Sequence, residues 1–223
     1  MRYLKYTIHA SIVLSTLVMC GCDTSTTRGL LYLFGPTVKK TVKAEYSGLE
    51  GHSVAVLVYT GPGIVCDYPK AQDELSVAIA RELRNRLRDV SIIPPNTVMS
   101  YQHNNPDWRE EDVAKIAREL KTDYVLMVTV AEYTSRALVS RAIQGRIRAD
   151  AQLHEILQDA DGVDFSDRVA WQCEEEIESL YPEKGEVYDR VFETRFLYEA
   201  RRQFADKLVK HFRNYEVRTD DQI

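Results

Sequence analysis

A continuous run of apolar residues, Val54-Ala-Val-Leu-Val-Tyr59, is the feature that most constrains how this chain can fold. The run has the length of a strand, and apolar side chains at successive positions indicate that both faces of the strand are buried. Gly61-Pro-Gly63 follows the run and favours a turn. Because strands of this kind are typical of sheets with helices on their faces, the run predicts an α/β fold.

Helical and extended patterns alternate after this first strand. A leucine or isoleucine recurs every four residues within residues 72–88, which predicts an amphipathic helix. Val90-Ser-Ile-Ile93 predicts a short strand that Pro94-Pro95 ends, since proline cannot donate to a ladder. Asp107-Trp-Arg-Glu110 has the pattern of a capping box, so it predicts the start of a second helix that leads to a buried strand over residues 124–130.

The second half of the chain predicts two more strands and one helix. Apolar and polar residues alternate over residues 146–154, which indicates a strand with one buried and one wet face. Residues 132–144 before it are polar and predict a mobile connection. Asp161-Gly162 predicts a turn before a strand around Val169-Ala-Trp171. Phenylalanine, alanine or leucine every four residues over 192–208 predicts a long helix.

The predicted order of elements is therefore β-α-β-α-β-β-β-α. Two βαβ units imply right-handed crossovers with parallel pairing, and the later hairpin makes the sheet mixed. We predict an α/β (α+β) fold with one domain over residues 45–215, three helices and a mixed, partly parallel sheet of about five strands.

The N-terminal residues have the pattern of an export signal. Arg2 and Lys5 precede the apolar run Ala10-Ser-Ile-Val-Leu-Ser-Thr-Leu-Val-Met19, which is shorter than the roughly 20 residues that a membrane-spanning helix needs. We expect residues 1–21 to be a signal peptide and residues 22–44 to be a lipidated N-terminus and tether. Residues 216–223 are expected to form a flexible tail.

Cys20-Gly21-Cys22 resembles the lipobox of bacterial lipoproteins, in which a small residue precedes the cysteine that receives diacylglycerol. Cys22 follows Gly21 and is the preferred site, although Met19 stands where leucine is usual. Cys20 is the alternative, with Leu17 at that position but bulky Met19 before it; an ordinary secretory signal is a third interpretation. Several acyl chains on one cysteine make membrane attachment effectively permanent. The resemblance implies an envelope protein with its domain in the periplasm, on the inner or the outer membrane.

Composition and charge argue against nucleic acid as the main partner. The 223 residues are 44% hydrophobic and 28% charged, as in ordinary globular proteins. Removal of Arg2 and Lys5 takes the formal charge from −5 to −7, and nucleic-acid binding needs a basic face. We expect the bilayer as one partner and an unknown envelope protein, or a second copy, as the other. The predicted contact surface consists of Arg81, Arg84, Arg88 and the polar residues 132–144.

The sequence contains residue types that catalyse reactions, but no complete reactive motif. Gly61-Pro-Gly63 lacks the Gly-Lys-Ser/Thr of a phosphate loop, and no nucleophile-elbow motif surrounds Ser100, so Ser100, His103 and Asp107 are predicted to be loop and cap residues. The histidines lack metal-ligand spacing. The acidic run Glu174-Glu-Glu-Ile-Glu178 lacks the glycine of a calcium loop and is predicted to be a solvated face. We predict a protein without catalysis, cofactor or metal; a membrane-tethered hydrolase is the alternative.

Cys66 and Cys173 are the cysteines that remain after the proposed lipidation site. An exported chain meets an oxidising compartment, where a bridge between them would stabilise the fold by about 4 kcal/mol in the chain-entropy model. Sequence gives no distance between the two, so a disulfide and two separate thiols both remain open.

Several landmarks resemble the N-terminal domain of TolB and the CsgG-like periplasmic lipoproteins. The residues that carry the resemblance are Val54-Ala-Val-Leu-Val58, Leu83 and Leu87, Ile92-Ile-Pro94, Ala117-Arg-Glu-Leu120, Asp123-Tyr-Val-Leu126, and Asp161-Gly162 before Trp171. The resemblance covers residues 52–212. This sequence departs from the group between Gly162 and Trp171, where residues 163–170 replace the tighter turn that is usual. It implies a non-catalytic module of an envelope assembly.

Overall fold

The structure is a computed structural model that describes residues 39–136, 143–159, 164–186 and 193–218. The predicted signal peptide, both candidate lipidation cysteines, most of the tether, the Asp161-Gly162 turn and Phe192 lie outside the described residues. Residues 41–215 form one compact unit, and the described residues 39–40 and 216–218 belong to a second unit. In the second unit, Lys39 Nζ lies 2.9 Å from a carboxylate oxygen of Glu216.

Within the described residues the chain forms eight strands and five α-helices. The strands are β1 (Lys39–Val42), β2 (Ser53–Thr60), β3 (Ser91–Ile92), β4 (Tyr124–Arg136), β5 (Ile143–Gln158), β6 (Phe165–Gln172), β7 (Ile177–Glu186) and β8 (Tyr215–Arg218). The helices are α1 (Pro62–Asp67), α2 (Ala71–Arg86), α3 (Pro95–Asn104), α4 (Val113–Leu120) and α5 (Glu193–Lys210), with a 3₁₀ turn at Trp108–Glu110.

The main sheet has the order β3-β2-β4-β5-β6, and β7 also pairs with β5. Strand β2 is parallel to β3 and to β4, whereas β5 is antiparallel to β4, β6 and β7. Strands β1 and β8 form a separate two-stranded sheet. The predicted α/β fold with a mixed, partly parallel sheet is therefore confirmed, and the structure adds two helices to the three predicted.

Helices cover both faces of the sheet, as the apolar run of β2 requires. Val54, Val56 and Val58 pack in one core with residues of α2 and α5, such as Leu75 and Phe204. The intervening side chains of β2 pack in a second, smaller core with residues of α3 and α4; this core includes Ala55, Leu57, Val98, Ile116 and Val125. Alternation of side chains along a strand explains why one strand serves both cores.

The strand ends before Pro94-Pro95 as predicted, but the helix that follows was not predicted, and one predicted helix start was wrong. Besides following the end of β3, Pro95 begins α3, because the fixed φ of proline suits the first turn of a helix. The expected capping box at residues 107–110 forms a 3₁₀ turn in which Asp107 makes no side-chain cap. Asp112 instead caps α4, and its Oδ1 accepts a hydrogen bond of 2.9 Å from the backbone N–H of Ala114.

Two further differences concern the later strands. Residues 132–136 and 143–144, predicted as part of a mobile connection, continue β4 and begin β5, because Tyr133 and Ser135 alternate into the buried side. His154, predicted on a wet face, is buried where α4 covers the sheet, and its Nδ1 lies 2.6 Å from an Asp167 carboxylate oxygen. Strand β7 was not predicted.

Candidate functional site

The arginines of the predicted contact surface lie on and just beyond α2, whereas the described part of its other segment, residues 132–144, belongs to β4 and β5. Leucine and isoleucine at every fourth position of this helix face the core, which turns Arg81 and Arg84 outward, and Arg88 follows the end of the helix. All three arginines are exposed. None of them forms an ion pair with the residues that the structure describes. This surface therefore presents positive charges that the described fold leaves unpaired.

A shallow hollow of about 270 Å³ lies beside Arg81, between α2 and α5. Val77 and Tyr198 line it and are 43% and 45% exposed. Glu74 and Arg201 form an ion pair from one helix to the other, and Arg201 Nη1 donates a hydrogen bond of 2.8 Å to Tyr133 Oη. The ion pair joins the two helices, and the hydrogen bond joins α5 to β4. We call the surface formed by the half-buried Asp73 and the exposed Val77, Arg81, Arg84 and Tyr198 the α2 face.

A larger groove of about 880 Å³ lies at the C-terminal end of α5, and the sequence analysis did not find it. One wall carries the exposed carboxylates of the turn between β6 and β7, and another carries lysines. The charged residues that line the groove are Lys43, Glu45, Glu174, Glu175, Glu176, Glu178, Lys207, Lys210 and His211. Glu176 and Glu178 are paired with Arg148 and Arg146, so the acidic run is not simply a solvated face.

Glu45, Trp171 and His211 form a bonded group at the edge of this groove, which we call the clasp. The Glu45 carboxylate accepts a hydrogen bond of 2.8 Å from Trp171 Nε1 and lies 2.8 Å from His211 Nδ1. The Trp171 ring packs against the rings of His211 and Phe212, with centroids 5.1 and 4.9 Å away. The backbone N–H groups of Glu45 and Tyr46 both donate to the His211 carbonyl. The clasp thus fastens the segment that leaves β1 to the end of α5.

The electrostatics of the clasp favour an ionised carboxylate. Partial burial raises the pKa of Glu45, but the hydrogen bonds from Trp171 and His211 and the charge of His211 outweigh it, so the pKa lies below its ordinary value of 4.5. A histidine held by a carboxylate is also the base-orienting half of many hydrolytic sites. Cys173 lines the same groove, but its thiol is buried and its Sγ accepts a hydrogen bond of 3.1 Å from the backbone N–H of Ala151.

The other predicted residues do not assemble into a site. Ser100 and His103 lie on α3 and not in a loop, and His103 Nδ1 contacts the Met99 carbonyl of the same helix. Cys66 is exposed on α1 and Cys173 is buried in the core, and both are free thiols, so the structure contains the two separate thiols and not the disulfide. In the described part of the chain, no group of three potential ligands is placed to hold a metal ion. No helix within the described ranges is long and apolar enough to cross a bilayer.

No protein-family model matches the chain, and no curated protein matches it. Several solved structures are similar in fold. A dodecamer of a PelC variant from Paraburkholderia phytofirmans is 15% identical, with 79% of this chain and 98% of that chain covered and a TM-score of 0.43. Protein XCC0632 from Xanthomonas campestris is 14% identical, with 74% and 84% covered and a TM-score of 0.46. Lipoprotein GNA1162 from Neisseria meningitidis is 16% identical, with 69% and 98% covered and a TM-score of 0.40.

Proposed function

We propose that this chain is a membrane-anchored lipoprotein of the cell envelope that acts by contact, as a binding or assembly module, and not by catalysis. The support for the anchor is the apolar run that ends at Cys20-Gly-Cys22. The landmarks quoted above support a relationship with the TolB N-terminal and CsgG-like group. The proposal places the domain on the periplasmic side of a membrane.

The observation that carries the contact function is the α2 face. It combines unpaired exposed arginines with two exposed apolar side chains, Val77 and Tyr198. Binding surfaces commonly surround an apolar centre with polar groups that desolvate only when a partner arrives. Long arginine side chains that pair with none of the described residues can bond to such a partner.

The anchor is tested by intact-mass measurement of the mature protein. We expect a chain that begins at Cys22 with added acyl mass, and we expect Cys22→Ser to block processing. Cys20→Ser is the matched control, because it removes the neighbouring thiol and leaves the preferred site. A wild-type product cleaved without acyl mass and recovered as a water-soluble protein would refute the anchor.

The contact function is tested by crosslinking the membrane-embedded protein and recovering its partner. Charge reversal of Arg81, Arg84 and Arg88 to glutamate should abolish recovery while the far-ultraviolet circular dichroism stays unchanged. The control is charge reversal of Arg118 and Lys121. Both are exposed around the end of α4, on the opposite side of the sheet. Equal loss of recovery in both variants would count against a role specific to the α2 face.

One observation favours the alternative of a membrane-tethered hydrolase, namely the pairing of His211 with Glu45 at the edge of the larger groove. A hydrolase would need a nucleophile beside this histidine. The alternative is tested with His211→Ala and a panel of ester and amide substrates. A hydrolytic activity that wild type has and His211→Ala lacks would replace the contact proposal.

A further inference from the structure

The charges on the α2 face follow an order along the helix. Asp73, Val77 and Arg81 are spaced four residues apart, so they lie on one stripe, with an acid one turn before the valine and a cation one turn after it. Asp73 and Arg81 form no ion pair or hydrogen bond with the described residues. The stripe therefore has opposite charges on the two sides of an exposed apolar residue.

A two-fold axis through Val77 would make this pattern complementary to itself. When α2 packs antiparallel against the same helix of a second copy about that axis, residues equally far from Val77 in opposite directions face each other. Asp73 of each copy then faces Arg81 of the other, and the two Val77 side chains meet at the axis. We infer that the α2 face binds a second copy of this chain as a two-fold symmetric dimer.

This inference rests on the proposed function, because it takes the α2 face as the contact surface and names its partner. A second copy satisfies the acid and the cation of the stripe at the same time. An anionic membrane surface or an acidic protein would attract Arg81 and Arg84 but would repel Asp73 and leave it without a partner. Tyr198 and the hollow of about 270 Å³ beside Val77 give each copy an apolar recess next to the axis.

The same symmetry places Lys70 of one copy opposite Arg84 of the other, so two cations face each other. Each is seven residues from Val77, about 10 Å along the helix axis. Helices that cross at the common angle of about 50° have diverged at that distance, so this like-charge pair lies outside the close contact.

The test is sedimentation of the full chain in detergent over a range of concentrations. Wild type should shift from monomer to dimer as concentration rises. Arg81→Glu and Asp73→Arg should each weaken the dimer by about tenfold or more, because each variant turns two attractive pairs into two repulsive ones. Arg118→Glu changes the charge by the same amount on α4, on the opposite side of the sheet, and its dimer should be as tight as that of wild type.

The decisive measurement mixes the two weakened variants. An equimolar mixture of Arg81→Glu and Asp73→Arg chains should form a heterodimer with near wild-type affinity, because both cross-copy pairs become attractive again. Formation of the heterodimer in the mixture also establishes that both variants are folded. A wild-type chain that stays monomeric, or a mixture no tighter than the separate variants, would overturn the inference. If the triple arginine reversal still abolished recovery of a different protein, the proposed function would stand without the dimer.

Discussion

The clasp and the α2 face are both rich in charge, yet they use it in opposite ways. At the clasp, the Glu45 carboxylate accepts a hydrogen bond from Trp171 and pairs with His211, so its partners belong to the same domain. On the α2 face, Arg81 and Asp73 have no partner among the described residues. The difference indicates that the clasp contributes to stability and that the α2 face is available for contact. Substitutions in the two regions should therefore differ in their effect on the free energy of unfolding.

The largest effect is expected beneath both regions, where α5 packs on the sheet. Phe204 is fully buried in the core that α2, α5 and β2 share. Phe204→Ala should lower the free energy of unfolding by about 3–5 kcal/mol, from lost burial and the cavity left behind. Urea denaturation followed by circular dichroism measures the loss. Tyr198→Ala on the exposed side of the same helix is the control; similar losses at both positions would contradict the assigned core.

A smaller loss is expected when the clasp is opened. Glu45→Ala leaves the Nε1–H of Trp171 without its acceptor in a ring that is only 8% exposed. The free energy of unfolding should fall by about 0.5–1.5 kcal/mol, because solvent screens the exposed Glu45 carboxylate and can partly replace it. Glu50→Ala removes an exposed carboxylate nearby in sequence and should change stability little. If both variants were equally stable, the clasp would not hold the segment before β2 in place.

The clasp should also make stability depend on pH in the acid range. Because the pKa of Glu45 is lowered in the folded chain, its contribution is present above the ordinary value of 4.5 and is lost as pH falls through the lower folded value. Wild type and Glu45→Gln should therefore differ most near neutral pH and converge below pH 4.5. The measurement is urea denaturation of both chains at several pH values. A constant difference down to the lowest pH would exclude an ionised Glu45 as the cause.

Sequence patterns predicted the scaffold of both regions better than the regions themselves. The apolar run of β2 and the four-residue spacing in α2 and α5 report burial directly, and these elements are where the patterns placed them. The exposed side of α2 follows from the same spacing, which is why Arg81 and Arg84 were correctly assigned to the outer side. The pairing state of those charges could not be predicted, since it depends on what lies across from them in space.

The clasp escaped prediction because its members are far apart in the chain. Glu45 precedes the first strand of the main sheet, whereas Trp171 and His211 belong to the last third of the chain. No local period or motif joins a glutamate to a tryptophan and a histidine at such separations. Strand β7 escaped for a related reason: the acidic run at its start has the composition of a solvated face. Only the arginines of β5 give partners to Glu176, just before β7, and to Glu178, within it.

The smallest effect is expected at Arg81. Arg81→Ala should change the free energy of unfolding by no more than about 0.5 kcal/mol, because the side chain is exposed and no described residue depends on it. The measurement must be made on dilute protein, since a dimer formed through the α2 face would add to the apparent stability as concentration rises. The comparison variant is Leu83→Ala, because Leu83 lies in the core two residues further along the same helix. Under the same conditions it should lower the free energy of unfolding by about 2–5 kcal/mol. A loss above about 1 kcal/mol at Arg81 in dilute protein would mean that the arginine stabilises its own fold. The distinction between the α2 face and the clasp would then fail, whereas a loss that appears only in concentrated protein would strengthen it.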